Sequence, residues 1–132
     1  MKIVVTAIML LVVAIIAKSQ DVPSNNFGMS KACYDAVVSF DVATMSEHFS
    51  GSVEVVTSKG AGVYSRNQAE QVLLNYFSEY DSVECKLTQE KNSVGTKMVI
   101  GTVKADKKNI RLFILTQIHN GRSVIQQIRL EE

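Results

Sequence analysis

Val63-Tyr64-Ser65-Arg66-Asn67-Gln68-Ala69-Glu70-Gln71-Val72-Leu73-Leu74-Asn75-Tyr76-Phe77-Ser78-Glu79-Tyr80 decides how the rest of the chain is read. Ser65, followed three residues later by Gln68, is a capping box, in which each side chain satisfies an orphan amide of the first helical turn. Behind it, Ala69, Val72, Leu73, Tyr76, Phe77 and Tyr80 recur at helical spacing and form one broad apolar stripe. A stripe of that width needs a large apolar surface to lie on, and the flanking sequence supplies one as strands.

Downstream of Tyr80 the apolar period changes from 3.6 to 2. Val83, Cys85 and Leu87 alternate with Glu84, Lys86 and Thr88, the pattern of a half-buried strand. Further strands are predicted over 96–105, 109–119 and 122–130, separated by turns over 90–95 and 105–109. Asn120-Gly121 between the last two is a strong hairpin signal, because a type I′ turn needs positive φ at both central positions. Upstream, the β-branched run 53–57 is a strand, 58–62 is turn material, and Val63-Tyr64 is a short partner strand. Before it, a helix starts at Ser30 as cap, with Cys33, Ala36, Val37 and Phe40 on one face. Asp41 restarts a second, short helix with Val42, Met45 and Phe49 on one side, ended by Gly51. Residues 21–28 read as a polar lead-in. Helices followed by strands on short turns predict an α+β fold, an antiparallel sheet with helices on one face.

The first 19 residues have the layout of a secretory signal peptide. Lys2 is the charged start, Ile3 to Ala17 the apolar run, and Ala17-Lys18-Ser19 the cleavage site. The apolar run falls short of the ~20 residues that a membrane span needs. Cleavage is therefore expected, leaving a single domain over 20–132, located in the periplasm or secreted, with no stable membrane anchor. Losing Lys2 and Lys18 takes the formal charge from +1 to −1. A nearly neutral chain without a lysine–arginine cluster is not expected to bind nucleic acid.

The run Gly62-Val63-Tyr64-Ser65-Arg66-Asn67-Gln68-Ala69-Glu70-Gln71-Val72-Leu73 and the ending Ile125-Gln126-Gln127-Ile128-Arg129-Leu130-Glu131 resemble a family of small exported bacterial proteins. That family is a domain of unknown function within the nuclear-transport-factor-2-like (SnoaL-like, cystatin-like) superfamily. The resemblance spans roughly Tyr34 to Glu131, with Ala43, Met45 and Phe49 at second-helix apolar positions. It implies a cone: a long curved antiparallel sheet wrapped on N-terminal helices and one long central helix, with a cavity at the open end. It also implies that enzymes of the superfamily, ketosteroid isomerases and epoxide hydrolases among them, place Asp, Tyr, His or Arg inside the cone.

Strand alternation tests whether this chain does the same. Ile110, Leu112, Ile114, Thr116 and Ile118 share one face of their strand, and Val124, Gln126, Ile128 and Leu130 one face of the next. Both sets are expected to face the helices, and neither holds an ionisable group, whereas acid–base catalysis needs one within reach of substrate. Tyr34, Asp41, His48, Tyr76 and Tyr80 are the candidates for lining a pocket at the cone mouth, and the tyrosines there would favour a small apolar ligand. His119, beside the Asn120-Gly121 turn, is expected to be solvated. Two histidines and two cysteines show no metal-ligand spacing, and no cofactor is expected. Export to an oxidising compartment allows a disulfide between Cys33 and Cys85, but both fall on core-facing stripes and are read as two buried thiols.

The opposite sheet face mixes apolar and cationic residues. Val99, Val103, Arg111, Phe113, Leu115, Ile125 and Arg129 are assigned to it as a patch with a polar rim, and the expected use is a homodimer. Two function classes follow. The first is an exported, non-catalytic binding or interaction protein. The second is an isomerase- or hydrolase-type enzyme acting on an apolar substrate in the cone, with Asp41, His48 or Tyr76 carrying protons.

Overall fold

The computed structural model describes residues 26–132, so the leader and its cleavage site lie outside the described residues. Among the described residues two short helices come first, α1 (Lys31–Ser39) and α2 (Val42–Ser46). They are followed by β1 (Phe49–Thr57), β2 (Gly60–Ser65), the central helix α3 (Arg66–Phe77), then β3 (Val83–Ser93), β4 (Thr96–Ala105), β5 (Lys108–His119) and β6 (Arg122–Glu131). The six strands form one open sheet in the order β2-β1-β6-β5-β4-β3. Neighbours run antiparallel except β1 and β6, which are parallel, so the sheet is mixed where the sequence predicts an antiparallel one.

Local chemistry explains most boundaries. Ser65 and Gln68 make the capping box in full, the Ser65 hydroxyl accepting from the Gln68 amide at 3.3 Å and the Gln68 carbonyl from the Ser65 amide at 3.2 Å. Asp41 caps α2, its carboxylate accepting from the Thr44 hydroxyl at 2.9 Å. Phe40, between α1 and α2, sits in the left-handed region at φ 50, a conformation that costs a non-glycine residue about 1 kcal/mol. Its ring packs edge-on against Phe77 at 5.1 Å, which offsets that cost. Asn120 and Gly121 both have positive φ, as the hairpin reading requires. Elsewhere the sheet extends further than expected. Phe49 opens β1 rather than closing α2, so Gly51 lies inside a strand, and β3 continues to Ser93 through the stretch read as a turn.

The helices lie on one face, α3 over β1 and β2, α1 over β3, and α2 against both helices. Their apolar sides meet Val99, Val103, Ile110, Leu112, Ile114, Ile128 and Leu130, all essentially inaccessible. Three register shifts interrupt the sheet, in β1 against β6, in β3 against β4, and in β5 against β6. Such bulges bend a strand and increase its twist, and so curve the sheet around the helices. Gly101 serves one of them: a Cβ there would stand 2.5 Å from the Lys86 carbonyl oxygen, so only glycine lets β3 approach that closely.

The shift in β6 reverses part of the face assignment. Leu115 pairs with Gln127 but Thr116 pairs with Ile125, leaving Gln126 as the extra residue. Before the bulge the buried positions are Ser123 and Ile125; after it they are Ile128 and Leu130. Ile125 therefore belongs to the core and not to the outer face. Val99 and Val103 are corrected in the same way. They pair with Ile114 and Ile110, cross-strand partners share a face, and both are buried among the helices. The outer face consists instead of Met98, Ile100 and Thr102 on β4 beside Arg111, Phe113, Leu115 and Gln117 on β5, with Gln127 and Arg129 on β6.

Candidate functional site

The residues named from sequence as pocket candidates do not come together. Tyr34 is half-buried on α1, its ring stacked with Phe27 at 6.3 Å. Asp41 is occupied as the α2 cap. Tyr80 follows α3 and leans on Phe77 at 6.2 Å. Tyr76 is buried, edge-on to Phe77 at 4.9 Å and with the Lys59 ammonium 5.7 Å from its ring centre. Burial pushes its phenol upward, against an opposing pull from the Ser58 hydroxyl, with which it completes no hydrogen bond of good geometry. These aromatics fill space between the helices and the sheet.

His48 is placed differently. It ends the α2–β1 connection and lines a cleft of about 440 Å³ together with Glu47, Phe49, Ser50, Gly51, Arg66, His119, Arg122, Ser123 and Val124. Three segments build this cleft: the start of β1, the first residue of α3, and both sides of the β5–β6 hairpin. Their positions are tied by backbone bonds. The Ile125 amide donates to the His48 carbonyl at 2.7 Å, beside the Phe49–Ile125 pairing that begins the parallel contact of β1 with β6. Burial lowers the pKa of His48 below its ordinary value; Glu47 pulls it up and Arg122 pushes it further down. A neutral imidazole is thus favoured at neutral pH, able both to donate and to accept.

Arg66, His119 and Arg122 were not legible as site residues. His119 reads as solvated beside a tight turn, and neither Arg66 nor Arg122 is singled out from sequence. The one signal pointing to them was their position, next to a cap and next to Asn120-Gly121, where chain reversals bring distant segments together. Among the described residues no group of three or more His, Cys, Asp and Glu has the arrangement of a metal site. Cys33 and Cys85 are both free thiols, the Cys33 thiol directed at the Met29 sulfur at 3.8 Å. Burial pushes Cys33 up to about 11 and Cys85 up to about 12.

On the outer sheet face, Phe113 and Leu115 are half-buried beside Met98, while Ile100 is 7% exposed although it lies outside the core cluster. The Arg111 guanidinium lies 5.7 Å from the centre of the Phe113 ring, and Arg129 pairs with Glu131 at 3.6 Å. Gln127 bonds the Glu54 carboxylate across the β1–β6 contact. An apolar centre with a cationic and amide rim results.

Comparison with known proteins agrees with this architecture. The profile of a family described as Domain of unknown function (DUF4783) matches residues 32–131. A solved DUF4783 family protein from Bacteroides ovatus has a TM-score of 0.70 at 15% identity, covering 80% of this chain and 96% of that one. A second, from Bacteroides fragilis, has a TM-score of 0.68 at 19% identity, covering 85% and 99%. An NTF2-like protein of unknown function from Cytophaga hutchinsonii has a TM-score of 0.51 at 8% identity, covering 73% and 79%. No curated protein matches the chain. At these identities the likeness shows the fold.

Proposed function

The chain belongs to the DUF4783 family, on a nuclear-transport-factor-2-like fold, and from that premise we propose that it is an exported, non-catalytic interaction protein. The supporting observation is how the space under the curved sheet is used. Leu73, Tyr76 and Phe77 of α3 and Val37 of α1 pack there against Ile110, Leu112, Ile114 and Ile128, and the buried polar residues among the described ones are Ser46, Thr116 and Ser123. Function is accordingly carried by the surface. The export part of the reading rests on the leader pattern of residues 1–19.

The surface assigned to a partner is the outer sheet face, and the partner is a second copy of the chain. Phe113, Leu115, Met98 and Ile100 form the apolar centre, with Arg111 and Arg129 at the rim, the composition of an interface whose core is desolvated and whose edge is polar. A two-fold axis uses the patch twice. Sedimentation of the wild type and of Phe113→Glu tests this. A dimer is expected for the wild type and a folded monomer for the variant. A monomeric wild type, or a variant that still dimerises, overturns the assignment.

The enzyme alternative draws its proton carrier from Asp41, His48 or Tyr76, which stand at a helix cap, a surface cleft and the core, respectively.

A further inference from the structure

The cleft at the α2–β1 junction carries two guanidiniums against one carboxylate, Arg66 and Arg122 against Glu47, with the imidazoles of His48 and His119 beside them. Ion pairs among the described residues lie elsewhere, joining Lys31 to Asp35, Lys108 to Glu132 and Arg129 to Glu131. Neither Arg66 nor Arg122 is paired with a described carboxylate, so their charges are not cancelled at short range. The surplus is local, because the whole chain is formally only +1.

A second, independent observation concerns the backbone. Ser50 and Gly51 belong to β1 yet stand in neither of its registers. Pairing with β2 begins at Ser52, and pairing with β6 holds at Phe49 and resumes at Glu54. Both residues line the cleft, and a Cβ at Gly51 would meet nothing within 4 Å. The Ser50 amide belongs to the parallel Phe49–Ile125 pairing, which leaves Gly51 as the residue outside both ladders. A backbone amide outside a ladder takes its partner from solvent or from a ligand. Arg66 is also the first residue of α3, where the helix end adds positive potential.

The walls are fixed rather than adaptable. Ile125 ties His48 to β6, and Ser123 is bonded in both directions to Ser30. A site held in place before binding loses less ordering entropy on binding. Its volume of about 440 Å³ lies within the range of small-molecule sites.

We propose that this cleft binds a small polyanion bearing two or more carboxylate or phosphate groups, held between Arg66 on the helix side and Arg122 on the hairpin side. Guanidiniums favour such oxygens because their paired N–H groups match the geometry of both. Two arginines from separate elements suit a ligand with two separated anionic groups. The Gly51 amide supplies a neutral donor between them, and Glu47 selects against a single, weakly charged anion.

Calorimetric titration of the purified protein with pyrophosphate and, separately, with citrate tests the site. Saturable binding of at least one probe is expected, weakened about tenfold or more by Arg66→Gln and by Arg122→Gln. Both arginines are exposed, so the variants are expected to melt like the wild type. Pyrophosphate binding alone identifies a phosphate ligand, citrate binding alone a carboxylate, and binding of both a site selecting on charge. Absence of saturable binding of either probe overturns the proposal, as does a double variant that binds like the wild type. Should the variants misfold, wild-type NMR decides: probe-induced shifts must centre on the Gly51 amide and the His48 ring, and shifts centred elsewhere overturn it.

Discussion

The Ser30 amide donates to the Ser123 hydroxyl at 2.7 Å, and the Ser123 amide donates back to the Ser30 hydroxyl at 3.4 Å. This exchange joins the start of α1 to the start of β6 across 93 positions of sequence. It also explains why Ser30, at the cap position of α1, makes no side-chain cap bond. Its hydroxyl is committed to a strand.

Removing the stronger half of this pair leaves the Ser30 amide without its acceptor beside the buried Ser123 position. Ser123→Ala is expected to cost about 1–2 kcal/mol. Ser30→Ala should cost less, since a 3.4 Å bond is near the limit of useful geometry. Urea unfolding of the two single variants and the double variant measures the coupling. Strictly additive losses would show that the two bonds act independently.

The bulge at Gln126 makes a sharper prediction about neighbouring residues. Ile125→Glu places an unpaired carboxylate in the core and is expected to abolish folding. Val124→Glu, at a partly exposed position, should shift stability by roughly 1 kcal/mol or less. A regular alternation matching the even positions of β5 gives the reverse order. Thermal unfolding of the two variants distinguishes the cases.

Thiol titration gives a pH prediction. Cys33 and Cys85 have a reference value of 9.0 and are raised by burial to about 11 and about 12. The unfolded chain therefore releases these protons first. Their contribution to stability is complete below pH 9 and is lost as pH rises from 9 towards the folded values. Cys33 is fully buried and Cys85 half-buried, so a thiol-reactive reagent at pH 8 should modify Cys33 more slowly than Cys85 in the native state and both quickly in urea. Rapid native labelling of Cys33 would contradict its burial.

Export is checked at the amino terminus. Protein recovered from the host's periplasm or medium is expected to begin at Gln20, following Ala17-Lys18-Ser19. Recovery of intact Met1 in the membrane fraction would refute it.

Much of the fold was legible because its signals are local. The α3 stripe and capping box, the Asn120-Gly121 turn, and the inward row Ile110, Leu112, Ile114 and Thr116 depend on residues a few positions apart. Periodicity reports which side of an element is apolar, and caps report where a helix begins. Neither reports which strands become neighbours, and the parallel contact of β1 with β6 had no sequence signal.

The sequence by itself determined the element types, the α+β class and the aliphatic interior, since these follow from side-chain spacing and backbone preference. Only the tertiary structure decided the faces of β6, because one extra residue at Gln126 inverts the alternation before it and leaves that after it unchanged. The same holds for the cleft. His48, Arg66, His119 and Arg122 are ordinary one by one, and their shared field exists only where β1, α3 and the β5–β6 hairpin converge. Coulomb interaction depends on distance in space, and sequence separation is a poor measure of that in a sheet whose first and last strands lie side by side.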